Sequence, residues 1–168
     1  MIIAKMTAAF VVVASLSQGV CAEAVGKSTP AGFTDDFAAA KAEAAKTGRK
    51  IVAVFSGSDW CYWCKVLEKG YLSKRAFVDA AKKDFVLVFI DNPRDPSVLS
   101  EQAKRNNGAL TRKYGIRGFP TVKVLAADGA ELGEARPKDK ASPAEYAAQL
   151  RRLAAQAAVD LREPVMVK

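Results

Sequence analysis

Two short runs constrain the fold of this chain more than anything else in it: KIVAVFS at Lys50–Ser56 and FVLVFID at Phe85–Asp91. Both are rich in β-branched and aromatic residues and neither alternates in polarity. Each therefore predicts a strand covered on both faces, as in a parallel sheet flanked by helices. The 28 residues between them, 57–84, are long enough for the helical crossover that a parallel pair requires.

The rest of the chain fits around that pair. Thr34 is expected to cap a helix whose first turn carries Asp35 and Asp36, followed by an alanine-rich stretch that Gly48 stops. Residues 121–126 (TVKVLA) and 131–134 flank Asp128 and Gly129, a turn pair that closes antiparallel hairpins. Ser142, Pro143 and Glu145 announce a last helix with cap, first-position proline and capping box, and Tyr146, Leu150, Leu153 and Ala154 mark its packing side. The order predicts an α/β domain of three layers, with a mixed central sheet, a C-terminal antiparallel hairpin and flanking helices.

Residues 1–22 read as a targeting segment. Lys5 is their only charge, residues 6–16 are largely apolar, and the stretch ends on the small residues Val20, Cys21 and Ala22. An export signal cleaved after Ala22 is the expectation. The alternative is a membrane anchor, for which about 17 apolar residues is the lower limit. Gln18 makes a poor lipid-attachment box before Cys21. On this division residues 1–22 are a signal peptide and 23–168 one domain, with a core at about 33–158 and a tail at 159–168. The mature chain is then periplasmic or secreted, does not span a membrane and keeps Cys61 and Cys64 as its two cysteines in an oxidising compartment.

Composition removes whole classes of chemistry. The chain has no histidine, which excludes Ser-His-Asp and Cys-His mechanisms, imidazole bases and His-ligated metals. Its three cysteines cannot close a tetrahedral zinc site, so neither a metal nor a cofactor is expected. The net charge of +8 becomes +7 without Lys5, and much of the excess falls at Lys104, Arg105, Arg112, Lys113 and Arg117, with no acid between Gln102 and Ala127. That run reads as a solvated helical face or as a guide for acidic partners. With only Tyr114 nearby it lacks the interleaved aromatics of a nucleic-acid surface, and no nucleic acid is expected.

The chemistry concentrates in residues 56–65, SGSDWCYWCK. Cys61 and Cys64 follow the first strand and open the next helix, where unpaired N–H groups and the helix dipole favour a thiolate. Three residues apart, they lie one turn apart on one face, close enough to bond. Other readings of a bare C-x-x-C remain: two buried structural thiols, half of a shared zinc site, or a haem attachment, which Lys65 in place of histidine disfavours. Trp63 shares a helical face with Val66, Leu67 and Gly70 and reads as core rather than substrate platform, whereas Tyr62 projects with Lys65 and Lys69 toward a partner.

The run Trp60-Cys61-x-x-Cys64-Lys65 after an apolar strand, with YGIRGFPT at 114–121 downstream, resembles the thioredoxin family over about residues 50–134. Asp59, Glu68 and Lys69 make it especially similar to the C-terminal domain of the membrane thiol reductase that relays electrons into the bacterial periplasm, and to small exported thioredoxin-like proteins. The resemblance implies a thioredoxin-like three-layer fold and protein-disulfide exchange. In it Cys61 is the exposed nucleophile, Cys64 the resolving thiol and Pro120 the cis-proline whose loop, with Phe119, offers an edge to a substrate strand; Trp60 and Tyr62 complete the expected substrate surface. Pro120 also suits the start of the strand at 121–126.

The pattern departs from the family in two places. The buried acid and lysine of efficient general reductases are replaced by Val54 and about Leu87, leaving Asp59 or Glu68 as substitutes, or Asp59 as a loop acid and Glu68 as a partner of Lys65. Tyr62-Trp63 replaces Gly-Pro between the cysteines, so the family's potential does not carry over. The expected activity is reduction of disulfide-bearing protein substrates, with a thiol-disulfide electron donor in the envelope. The alternatives are a disulfide oxidase or isomerase, and a non-catalytic binding or chaperone-like module.

Overall fold

The structure is a computed structural model that describes residues 25–160. The expected leader at 1–22, Cys21 and the tail from 161 onward lie outside the described residues. Within them the chain runs α1 (Phe37–Thr47), β1 (Lys50–Ser56), α2 (Tyr62–Leu67), α3 (Arg75–Ala81), β2 (Phe85–Asp91), α4 (Glu101–Lys113), β3 (Thr121–Leu125), β4 (Glu131–Glu134) and α5 (Pro143–Asp160). A π-helical turn, Glu68–Leu72, continues α2 toward α3.

The sheet order is β2-β1-β3-β4. β1 pairs with β2 in parallel, with Ser56 opposite Asp91, and antiparallel with β3. β3 and β4 form the expected hairpin, closed at Asp128 and Gly129, where Gly129 takes a left-handed φ of 91°. Every residue of β2 is buried, and so is all of β1 after Lys50. The period of two divides the strands between two apolar layers. Val52, Val54, Leu87, Phe89, Val122 and Val124 pack toward α3 and α5, whereas Ile51, Ala53, Phe55, Val88, Ile90 and Leu125 pack toward α1 and Tyr114. Three layers with a mixed sheet are therefore observed, as the unbroken apolar runs demanded. Val54, the position that the family resemblance matches to an acid, lies among the first set.

The helix signals hold in part. Gly48 ends α1 at a left-handed φ of 70°. Ser142 and Glu145 form a reciprocal box at the start of α5, with N–H to side-chain distances of 2.7 and 3.3 Å. Tyr146, Leu150 and Ala154 are buried on its inner side. The expected cap at Thr34 is corrected: Asp36 caps α1 by accepting from the Ala38 and Ala39 amides, both at 2.9 Å. Thr34 instead makes a bridge to Val88, its N–H donating to the Leu87 carbonyl at 2.9 Å. Asp35 leaves the first turn as well, since its buried carboxylate accepts the Gly26 amide at 2.9 Å. A sheet edge left with unpaired amides outcompetes a cap one turn earlier.

Under the α5 side of the sheet, Phe77 stacks between Phe33 (centroids 6.5 Å) and Tyr146 (5.6 Å). Phe77 has no exposed surface, and its truncation leaves a cavity that the two remaining rings cannot fill. Phe77→Ala is expected to lower unfolding free energy by about 3–5 kcal/mol, read from urea midpoints at unchanged slope; a loss below about 1 kcal/mol refutes the column as a core element.

Candidate active site

β1 ends at Ser56, and the chain turns through Gly57, Ser58, Asp59 and Trp60 before α2 begins. Because Ser56 lies opposite Asp91, the end of β2 sits beside this turn. The buried Asp91 carboxylate accepts the Ser58 amide at 2.9 Å and the Ser58 hydroxyl at 2.5 Å. The residues after β2 then grip the rest of the turn. Asp59 accepts the Arg94 and Asp95 amides, each at 2.8–2.9 Å to Oδ2. The Trp60 indole N–H donates to the Asn92 carbonyl at 2.9 Å, with the Arg94 guanidinium 5.9 Å from the ring centroid. The Asp95 amide foremost, with the Arg94 amide and charge, holds the Asp59 carboxyl below its ordinary range. Asp59 is thus a loop acid, one of its two expected roles.

Cys61 is the N-cap of α2 and is bonded to Cys64, with Cα atoms 5.2 Å apart. The Cys64 amide donates to Cys61 Sγ at 3.2 Å, so a helix-terminal N–H that needs a partner finds one in sulfur. The expected exposure of Cys61 is corrected: it retains 6% of its surface and Cys64 2%. The order of accessibility, Cys61 above Cys64, is kept.

Two other expectations fail for a common reason. The inner row of α2 is Cys64 and Leu67, one helical turn apart. Trp63 and Val66 therefore lie on the neighbouring outer row, and Trp63 is 65% exposed rather than core. It meets Tyr62, itself exposed, edge-to-face at 5.2 Å. Glu68 does not pair with Lys65, whose Nζ donates to the Asp59 carbonyl at 2.8 Å. Glu68 lies one turn below Cys64, half-buried, where desolvation first and the Asp91 charge second push its carboxyl above the ordinary value, against a smaller pull from Lys69.

The Phe119–Pro120 peptide is cis, and Pro120 directly precedes β3. Phe119 meets Trp60 edge-to-face at 5.6 Å, so the Pro120 loop and the cysteine motif share one end of the sheet. Trp60, Phe119 and Pro120 are brought together, whereas the ring contact of Tyr62 is with Trp63. Gly57 makes room for this arrangement: a Cβ there would stand 2.4 Å from the Trp60 indole. The basic residues Lys104, Arg112, Lys113 and Arg117 are exposed; Lys104 pairs with Glu101 and Lys113 lies over the Tyr114 ring. Among the described residues no cluster of His, Cys, Asp or Glu could hold a metal, and no helix is long and apolar enough to cross a membrane.

Sequence reasoning missed Asp91, Asn92 and Arg94. The signal for Asp91 was present: an acid ends an otherwise wholly apolar strand, at the carboxyl end where open α/β sheets place their sites.

Two measurements check this geometry. With its folded-state pKa raised, Glu68 is harder to ionise in the folded protein than in the unfolded chain. Stability therefore falls as pH rises from the unfolded value, about 4.3, through the folded one, and the penalty is complete above both. Glu68→Gln is expected to make the oxidised protein more stable than the parent at pH 7, with the gap closing below about pH 4. A gap that widens in acid contradicts the sign. Gly57→Ala should displace the Trp60 ring and shift its fluorescence maximum, and an identical emission spectrum would contradict the contact.

The family model described as "Thioredoxin-like domain" matches residues 37–154. The chain is 29% identical over 98 residues to "Disulfide bond reductase DsbH" of Chlamydia pneumoniae, covering 58% of this chain and 58% of that protein; it thus spans less than two thirds of that relative's length. The solved structure of a DsbH oxidoreductase superposes with a TM-score of 0.66 at 24% identity, covering 75% of this chain and 87% of the other. The solution structure of a thioredoxin from Thermus thermophilus gives 0.54 at 20% identity, covering 75% and 89%. At these identities the two structures speak for the fold.

Proposed function

The chain belongs to the thioredoxin-like family, and from that premise we propose that it is a thiol-disulfide oxidoreductase that reduces protein disulfides in the periplasm. The observation that carries the reading is the Cys61–Cys64 bond at the start of α2, beside the Pro120 loop. The name of the Chlamydia pneumoniae relative supports the reducing direction. The export signal read at residues 1–22 supports the compartment, with 23–168 as the mature domain.

In the working direction both cysteines start as thiols. The Cys61 thiolate attacks one sulfur of the partner's disulfide; a Cys61-to-partner disulfide forms and the partner's other sulfur leaves as a thiolate, which takes a proton. The Cys64 thiolate then attacks Cys61 Sγ, releasing the second partner sulfur and forming the Cys61–Cys64 bond. Two electrons have moved to the partner, which ends as a dithiol. A dithiol donor in the envelope reverses the exchange and restores the thiols. The Cys64 N–H that meets Cys61 Sγ stays available to the thiolate, and the dipole of α2 adds about 0.3–1 kcal/mol. Trp60, Phe119 and Pro120 form the surface beside the reacting sulfur, and Tyr62 stands at its outer margin.

Cys64→Ser should accumulate a mixed disulfide through Cys61 in envelope extracts, and Cys61→Ser should abolish both trapping and turnover. Full biological activity of Cys61→Ser would instead establish a binding module that works through its exposed aromatics. Equilibration with glutathione tests direction: a reductase should lie toward the potential of about −270 mV of thioredoxin, and a potential near about −120 mV would mark a disulfide oxidase.

A further inference from the structure

The two flanks of the disulfide differ. On one, Trp60 is tied down by Asn92, Arg94 and Phe119. On the other, the outer row of α2 faces the segment after β4 across a groove of about 550 Å3, which Pro120 borders. Its walls are apolar, formed by Trp63, Val66 and Tyr71, and its far rim is the segment 136–140. That rim carries Arg136, Lys138 and Lys140 against the single acid Asp139. Arg136 leaves 79% of its side chain in solvent, and its nearest acid, Glu134, is 4.0 Å away and is also 3.8 Å from Lys123. The rim is anchored by its backbone, since the Gln149 amide donates to the Arg136 carbonyl at 2.8 Å. Phe119 and Pro120 join the groove to the reacting sulfur, whereas the exchange steps use neither Trp63, Val66 and Tyr71 nor the rim.

We propose that this groove selects the substrate: it seats the extended segment next to a partner's cysteine, taking an apolar side chain against Trp63 and Val66 and acidic side chains against Arg136, Lys138 and Lys140. Charge complementarity identifies the occupant, because a second copy of this chain would bring the same basic rim to the contact. The proposal rests on the thiol-disulfide reading above and adds the class of partner to it.

The test uses the reduced protein and peptides that carry one cysteine as a mixed disulfide with 2-mercaptoethanol, followed by a leucine and then by three Glu, three Ser or three Lys residues. Oxidation is followed by stopped-flow tryptophan fluorescence at about 0.15 M salt, where charges beyond about 8 Å are screened. The Glu peptide should react about tenfold faster than the Lys peptide, the sum of three exposed charge contacts. The triple reversal R136E/K138E/K140E should bring that ratio to one or invert it. The triple reversal K104E/R112E/K113E on α4 should keep it within about twofold of the parent. Replacing the peptide's leucine by serine should slow the parent and have less effect on Trp63→Ser. Equal rates for Glu and Lys peptides, or an equal loss of preference in the α4 variant, overturn the groove assignment. Hydroxyethyl disulfide, small and uncharged, separates the two readings. If it oxidises the parent while the peptides show no preference, only the groove assignment falls; if neither it nor any peptide does so, the exchange reading falls too.

Discussion

The parallel pairing of β1 with β2, in the register that sets Ser56 opposite Asp91, is the constraint on which the site depends. Burial on both faces fixes that register, because a slip of one residue would turn each apolar set toward the wrong layer. With the strand ends level, Asp91 reaches the Ser58 amide and hydroxyl. Asn92 then closes on Trp60, and Arg94 and Asp95 on Asp59. The cysteine turn is thus built from two segments more than 30 residues apart in the chain, joined by hydrogen bonds that no local propensity could supply.

This explains which parts were legible in the sequence. Unbroken apolar strands, a glycine stop, an Asp-Gly turn and a Ser-Pro-x-Glu start are each decided within a few residues, and each stands where it was read. Thr34, Trp63, Glu68 and Lys65 were misread because their partners come from elsewhere. Thr34 is taken by the edge of β2 and Lys65 by the Asp59 carbonyl. Helical spacing alone places Trp63 on a face with Val66 and Leu67, yet the face of α2 that turns inward carries Cys64 and Leu67. Spacing shows which residues share a face; only the tertiary anchor decides which face is buried. The rim at 136–140 carried no signal, since alternating charges in a turn look the same whether or not a groove lies beside them.

Val54, the position that the family resemblance matches to a carboxyl, carries a branched apolar side chain, and the layer beneath closes around it. Glu68 lies one turn below Cys64, with its carboxyl raised by desolvation and by the Asp91 charge. These two acids are not equivalent. Asp91 is consumed by Ser58, two hydrogen bonds in a buried setting, and is committed to structure. Glu68 makes no such commitment, and both desolvation and its neighbour favour the protonated form.

The result is a site whose stiffness and whose selectivity reside on opposite flanks. Around Trp60, polar bonds and ring contacts leave little room, and Gly57 tolerates no side chain beneath the indole. Across the disulfide, Trp63 and Val66 stay largely exposed, Trp63 meeting only the exposed Tyr62 ring among the described aromatic contacts, beside a basic rim anchored at the Arg136 carbonyl. A rigid flank keeps the sulfur aligned for in-line attack, since exchange depends on which sulfur is approached and how. An open flank lets the chemistry of the incoming chain decide how long it stays. Were both flanks closed, a protein disulfide could not enter; were both open, the turn carrying Cys61 would lack the bonds that hold it against the end of β2.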